Sequence, residues 1–125
     1  PLWVVDRVKA AVADYLAQTD KRASEVTVAC FGLAFKPDID DLRESPAVGI
    51  TSMIAQWNTG VTLAVEPNVK HLPSVLAGQV KLVDTLSALK EADVLVMLVD
   101  HRQFKAINPE DVKQQWVIDT KGVWR

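Results

Sequence analysis

The chain has little of what marks several protein classes. It holds one cysteine, Cys30, so no internal disulfide can staple it, and a reducing, cytoplasmic setting is expected. No apolar run approaches the ~20 residues of a membrane-spanning helix. No charged-then-apolar leader runs into a small-residue cleavage site, so no secretory signal is expected. Excess charge is also missing. Fourteen basic residues against 16 acidic ones leave a net charge of −2. The basic residues are scattered without a stripe, which argues against nucleic acid or an anionic membrane as partner. The two histidines, His71 and His101, lack the partner spacing of a zinc site and are expected at the surface. No internal repeat and no low-complexity segment occurs.

What is present suits one globular domain. The 125 residues are 49% apolar and 24% charged, enough to bury a core without staples. The chain begins at Pro1 without a Met and opens directly on a helical pattern, so a piece of a longer protein is expected. Val4, Val5, Val8, Val12, Tyr15 and Leu16 form one apolar stripe on a helix over 2–17, with Pro1 suited to its first turn. Were that stripe left uncovered, it would favour aggregation or pairing. Residues 18–25 are polar. Val26–Phe31 reads as a strand buried on both faces, as at the centre of a parallel sheet.

From there strands alternate with helical patterns. Ser45-Pro46 is a helix start, Ser45 capping and Pro46 pre-setting the first turn. Ala47, Ile50, Ile54 and Trp57 share a face, and Gly60 is the expected stop. Val61–Val65 is a strand, with a turn at Glu66-Pro67. A short helix is expected around Leu72–Leu76, a strand at Val80–Val83, a helix at Leu86–Ala92 and a buried strand at Val94–Val99. A helical or irregular stretch crosses Phe104 to Gln115 before a last strand at Trp116–Ile118. Five strands in this alternation imply a doubly wound, Rossmann-like α/β fold in three layers, with a parallel sheet in order 3-2-1-4-5.

In such sheets ligands sit outside the carboxyl ends of the strands, near the switch point. Residues 33–45, following the central first strand, exceed the ~2–6 residues usual for a strand-to-helix loop and are dense in charge, which marks a functional loop. Asp100-His101-Arg102 and Asp119-Thr120-Lys121 should arrive at the same edge. The turn Gly32-Leu33-Ala34-Phe35-Lys36-Pro37 lacks the second glycine of the dinucleotide fingerprint, so NAD should not lie across this sheet in the usual way. Glu66 is expected to cap the turn before Pro67. Asp38, Asp40, Asp41 and Glu44 lack the glycine and closing glutamate of a calcium loop. They are expected to be solvated, or to favour the positive start of the helix after Ser45.

Gly32-Leu33-Ala34-Phe35-Lys36-Pro37, followed by Asp40-Asp41-Leu42-Arg43-Glu44-Ser45-Pro46, closely resembles the UDP-glucose/GDP-mannose dehydrogenase family. The likeness continues through Val65-Glu66-Pro67, Ala92-Asp93-Val94-Leu95-Val96, Phe104-Lys105 and Val117-Ile118-Asp119-Thr120-Lys121. It thus covers nearly all of the chain from residue 26. Within the family the wording looks closest to the bacterial branch acting on UDP-N-acetyl-D-mannosamine, whose product serves envelope polysaccharides such as enterobacterial common antigen. The resemblance implies that residues 1–20 end the inter-domain helix and that 21–125 form the carboxy-terminal UDP-sugar-binding domain. The implied parent is a homodimer that uses NAD to oxidise a sugar C6 alcohol to an aldehyde and then an acid. Its nucleophilic cysteine and its NAD-binding domain lie outside this chain, so the fragment alone should be inactive and carry no catalytic residue.

The same resemblance places Phe35, Lys36 and Lys121 on the UDP-sugar and Arg43 on NAD. An ammonium can pair with a diphosphate or bond sugar hydroxyls, and a guanidinium fork matches phosphate oxygens. Many relatives carry arginine at the position of Lys121, and lysine gives up the bidentate geometry. The bland readings are a solvated lysine for Lys36 and for Lys121, loop-to-core packing for Phe35, and for Arg43 a salt bridge to Asp40, Asp41 or Glu44. Cys30 sits inside an apolar strand, where a thiol is inert, and is not expected to be the nucleophile. The competing reading is a free-standing binding module such as a phosphoacceptor receiver, with Asp84 at the end of strand three as acceptor.

Overall fold

The computed structural model describes residues 2–112, 116–122 and 124. Pro1 and the last part of the stretch expected to run to Gln115 lie outside the described residues. Helix α1 (Leu2–Gln18) is followed by a single 3-10 turn at Ala23–Glu25 and then strand β1 (Val28–Phe31). Helix α2 (Pro46–Trp57) leads to β2 (Thr62–Val65), and a run of turns leads to the short β3 (Lys81–Leu82). Helix α3 (Thr85–Glu91), β4 (Val94–Met97), the single-turn α4 (Arg102–Lys105), a second 3-10 turn at Pro109–Val112 and β5 (Trp116–Asp119) complete the described elements. All strands are parallel, in the order β3-β2-β1-β4-β5. The sheet order and the alternation agree with the sequence reading. The expected helix around Leu72–Leu76 is instead a run of turns.

Side chains alternate across the sheet, as the period of two requires. Val28, Cys30, Val94 and Val96 face the layer built by α1 and α2, where they meet Val4, Val5, Val8, Val12, Ile50 and Ile54. Ala29, Phe31, Leu95 and Met97 face the other layer, with Ala88, Phe104 and Trp124. There Phe31 meets Phe104 and Trp124 edge to face, at ring separations of 5.2 and 5.3 Å. The apolar stripe of α1 is therefore covered by the sheet, so the condition under which it would favour aggregation or pairing is not met. Tyr15 and Asp93 pin the helix in place, the phenol donating to the carboxylate at 2.9 Å.

Two helix boundaries differ in mechanism from the sequence reading. Ser45 occupies the N-cap position of α2, but its hydroxyl makes no capping bond and is buried without a hydrogen-bond partner among the described residues. Gly60 does not stop α2. The helix ends at Trp57 with Asn58 extended as its cap. Gly60 is needed for close packing, since a Cβ there would lie 2.0 Å from the Val26 carbonyl oxygen.

Candidate functional site

Strand β1 ends at Phe31, and the chain must leave it beside the loop after β4. Gly32 makes this possible. Its φ of +99° suits glycine, and a Cβ would fall 2.5 Å from Val99 Cβ. Leu33 and Ala34 then turn inward and are buried, while Phe35 to Asp40 are exposed.

A buried carboxylate fixes that turn. Glu66, at the end of β2 and 3% exposed, accepts the Leu33 N–H at 2.9 Å and the Ala34 N–H at 3.0 Å on one oxygen. Its other oxygen accepts the Asn68 N–H at 3.1 Å. His101, after β4 and 0% exposed, places Nε2 2.8 Å from the same Glu66 oxygen that takes the two amides. On its far side, His101 Nδ1 accepts the Asp38 N–H at 2.8 Å. An acceptor at Nδ1 leaves the proton of a neutral imidazole on Nε2, where it donates to Glu66. Burial by itself pushes the Glu66 carboxyl up. The bonds from His101 and from the main chain of Leu33 and Asn68 outweigh burial and hold it below the usual carboxylate range.

These two residues correct the sequence reading. Glu66 does hold the turn at Asn68, but its main partners are the amides of the loop after β1. His101 is a core residue, not a surface one; His71 is exposed as expected. The signal available beforehand was position. Glu66 ends β2 and His101 follows β4, the two strands that flank β1. The consequence for phosphate binding is direct. In a dinucleotide fold the amides of the first turn face the pyrophosphate. Here the Leu33 and Ala34 amides are already engaged by Glu66.

The rest of the loop is tied down in the same manner. Phe35 N–H donates to the Asp41 carbonyl at 2.8 Å, and Asn68 Nδ2 to the Ile39 carbonyl at 3.1 Å. The Asp38 carboxylate accepts the Arg102 N–H at 2.7 Å, and Asp38 itself has φ of +64°. Two clefts flank this loop at the carboxyl edge of the sheet. One, of about 310 Å³, is lined by Trp3, Ala34, Phe35, Pro46, Ala47, Val99, Thr120 and Lys121 among others. It brings the start of α1, the start of α2 and the end of β5 to one place. The first turn of α2 opens there, where its uncapped N–H groups favour an anion. The second cleft is lined by Phe35, Asp41, Arg43 and Glu44.

The sequence-derived candidates divide between them. Phe35, 49% exposed, stands on the wall common to both clefts, which sets aside plain core packing for its ring. Lys121 lines the first, on a turn held by the Asp119 carboxylate, which accepts the Lys121 and Trp124 N–H groups. Lys36 is exposed on the same loop but is not among the residues lining either cleft. Arg43 lines the second, its side chain 89% exposed, and grips Asp41 through Nε at 3.0 Å and a terminal nitrogen at 3.1 Å. Hydrogen bonds and charge from Arg43 lower the Asp41 pKa, and Asp41 in turn raises that of Arg43. Asp40 and Asp38 do not share in this pair. Cys30 is fully buried, and desolvation pushes its thiol up to about 12. Asp84 caps α3 by accepting the Ser87 N–H at 2.7 Å. It follows an edge strand, away from the sheet centre where a receiver would need its acceptor.

Comparison with known proteins follows the same lines. Residues 29–125 match the model of the UDP-glucose/GDP-mannose dehydrogenase family, UDP binding domain. A UDP-N-acetyl-D-mannosamine dehydrogenase of Yersinia pestis is 75% identical over all of this chain, which spans 30% of that protein's length. The one from Escherichia coli K12 is 66% identical over the same residues, again 30% of its length. Among solved structures, a UDP-N-acetyl-mannosamine dehydrogenase from S. aureus superposes with a TM-score of 0.73 at 29% identity, covering 98% of this chain and 27% of that one. The loop after β1, the strand order and the sequence match agree: this chain belongs to the UDP-glucose/GDP-mannose dehydrogenase family and corresponds to its UDP binding domain.

Proposed function

We propose that this chain is the carboxy-terminal, substrate-holding domain of an NAD-dependent dehydrogenase that converts UDP-N-acetyl-D-mannosamine to UDP-N-acetyl-D-mannosaminuronate. The observation that carries the reading is the meeting of Phe35 and Lys121 with the open start of α2 in one cleft at the sheet's carboxyl edge. That combination offers a ring wall, an ammonium and helix-terminal amides to a sugar joined to a diphosphate. Lys36 extends from the same loop and supplies a second cation. The 75% identity to the Yersinia pestis dehydrogenase across the full chain supports the choice of sugar.

NAD, held mainly by the rest of the enzyme, would supply the hydride acceptor for the two oxidations. The residues here fit one edge of that cofactor and not its cradle. Arg43 offers an exposed guanidinium, while the first-turn amides are occupied by Glu66. Arg43 would hold a cofactor phosphate, with Asp41 as its partner when the cofactor is away. Helix α1 is the end of the helix that joins this domain to the one before it. The parent enzyme is a cytoplasmic homodimer whose uronic acid product goes to envelope polysaccharide such as enterobacterial common antigen.

The test is kinetic and uses the intact parent enzyme. Lys36→Ala and Lys121→Ala raise KM for the UDP-sugar by about 10- to 100-fold, the equivalent of about 1.5–3 kcal/mol for a charged hydrogen bond. Arg43→Ala does the same for NAD. Wild-type saturation by both ligands in all three variants removes the site assignment.

A further inference from the structure

The Glu66–His101 pair touches neither of the two clefts named above, yet it holds the loop that walls both. Three successive anchor points of that loop run through it. Leu33 and Ala34 are bound by the carboxylate, and Asp38 by the imidazole. Phe35, Lys36 and Pro37 lie between those anchors, with exposed side chains. The pair is buried where a surface loop would ordinarily be held by weaker, exposed contacts, and each polar atom in it has a partner. Unlike the bidentate Arg43–Asp41 contact at the surface, it is shielded from solvent.

We propose that Glu66 and His101 are positioning residues for UDP-sugar binding, a paired acceptor device that sets the height and direction of the Phe35-Lys36-Pro37 segment over the cleft. The proposal rests on the function assigned above. The imidazole acts as a two-ended spacer: its Nε2–H end is fixed by Glu66 and its Nδ1 end fixes Asp38. The groups around it are Glu66 from the end of β2, Asp38 from the loop, and Asp100 and Arg102 on either side in sequence. Asp38 spends its carboxylate on the Arg102 amide, and Asp100 faces Lys105 at 3.8 Å. The ring of Phe104, 5.4 Å away and tilted, packs against the imidazole.

Three substitutions in the intact enzyme separate the two ends. His101→Phe keeps the packing against Phe104 and removes both bonds. His101→Asn keeps an acceptor where Nδ1 stood, and His101→Gln keeps a donor that reaches Glu66. Amide hydrogen exchange is read at Leu33, Ala34 and Asp38, with the β1 amides as internal reference. The expected result is exchange at Asp38 about tenfold faster or more in the Phe and Gln variants, restored toward wild type in the Asn variant, with β1 unchanged. In the same proteins, KM for the UDP-sugar rises about tenfold in the Phe variant, while kcat stays near wild type.

Wild-type exchange at all three loop amides in His101→Phe overturns the proposal. So does faster exchange without any change in sugar KM. The Lys36→Ala and Lys121→Ala measurements keep the two levels apart. If those variants lose sugar saturation and His101→Phe does not, the positioning role fails and the site stands. If none of them affects it, the site itself is wrong.

Discussion

Tyr15 on α1 donates its phenol proton to Asp93 Oδ1 at 2.9 Å, and the other oxygen of Asp93 accepts the Thr27 N–H at 2.9 Å. One carboxylate thus joins the first helix to the entry of β1 and the start of β4. Burial first, then the bond and charge of Asp93, push the Tyr15 phenol from 10.0 up to about 12. Folding therefore favours the protonated phenol. This contribution to stability is intact below pH 10 and is lost as pH rises through about 12. As the sequence has a single tyrosine, phenolate absorbance follows this residue alone. The titration midpoint should lie near 12 in the folded chain and near 10 after denaturation. Tyr15→Phe should cost about 1 kcal/mol in denaturant unfolding.

Glu66 gives the opposite pH dependence. Its folded pKa lies below the ordinary 4.5, so the unfolded chain binds the proton more readily. Its stabilising effect is present above pH 4.5 and is lost as pH falls through the lower, folded value. Glu66→Gln should be less stable at neutral pH by about 1–3 kcal/mol, having lost a buried charged acceptor. Its melting temperature should fall less steeply than wild type's on acidification. Parallel acid profiles for the two proteins would show that Glu66 does not contribute this dependence.

Gly32→Ala tests the exit from β1. The new methyl group meets Val99 Cβ at 2.5 Å, on a backbone with φ of +99°. We expect a loss of about 2–6 kcal/mol, combining ~1–3 for the strained backbone with ~1–3 for overpacking. The denaturant midpoint measures it.

Cys30 should behave as a reporter of unfolding. With its thiol pushed from 9.0 to about 12, the thiolate fraction near neutral pH falls about 1,000-fold, before burial limits access as well. Ellman's reagent should find no reactive thiol in the native chain and one per chain in denaturant. Fast labelling of the native chain would mean that the β1 core opens readily.

Much of the fold was legible because periodicity is a local property. Val28–Phe31 and Val94–Met97 are short apolar runs, and a strand buried on both faces must be one. The stripe on α1 announced one buried face. Less local features were misjudged. Gly60 looked like a helix stop because glycine commonly is one; its reason is the Val26 carbonyl, 34 positions earlier in sequence and adjacent only in the folded chain. Ser45 had the right residue type for a capping bond and the right place, yet its hydroxyl makes none.

The candidate site divides in the same way. The sequence by itself determined the strand-and-helix alternation, the inert cysteine and the charged loop after β1, since each follows from residue type and near neighbours. Only the tertiary structure decided what holds that loop. Glu66 and His101 are 35 residues apart, and each alone reads as an ordinary polar residue at a strand end. Parallel pairing of β2 and β4 on either side of β1 brings them together beneath the loop. Buried there, the two side chains pair with each other, with the loop's own amides and with the Asn68 amide, because an unpaired polar group in that position would carry the full cost of desolvation.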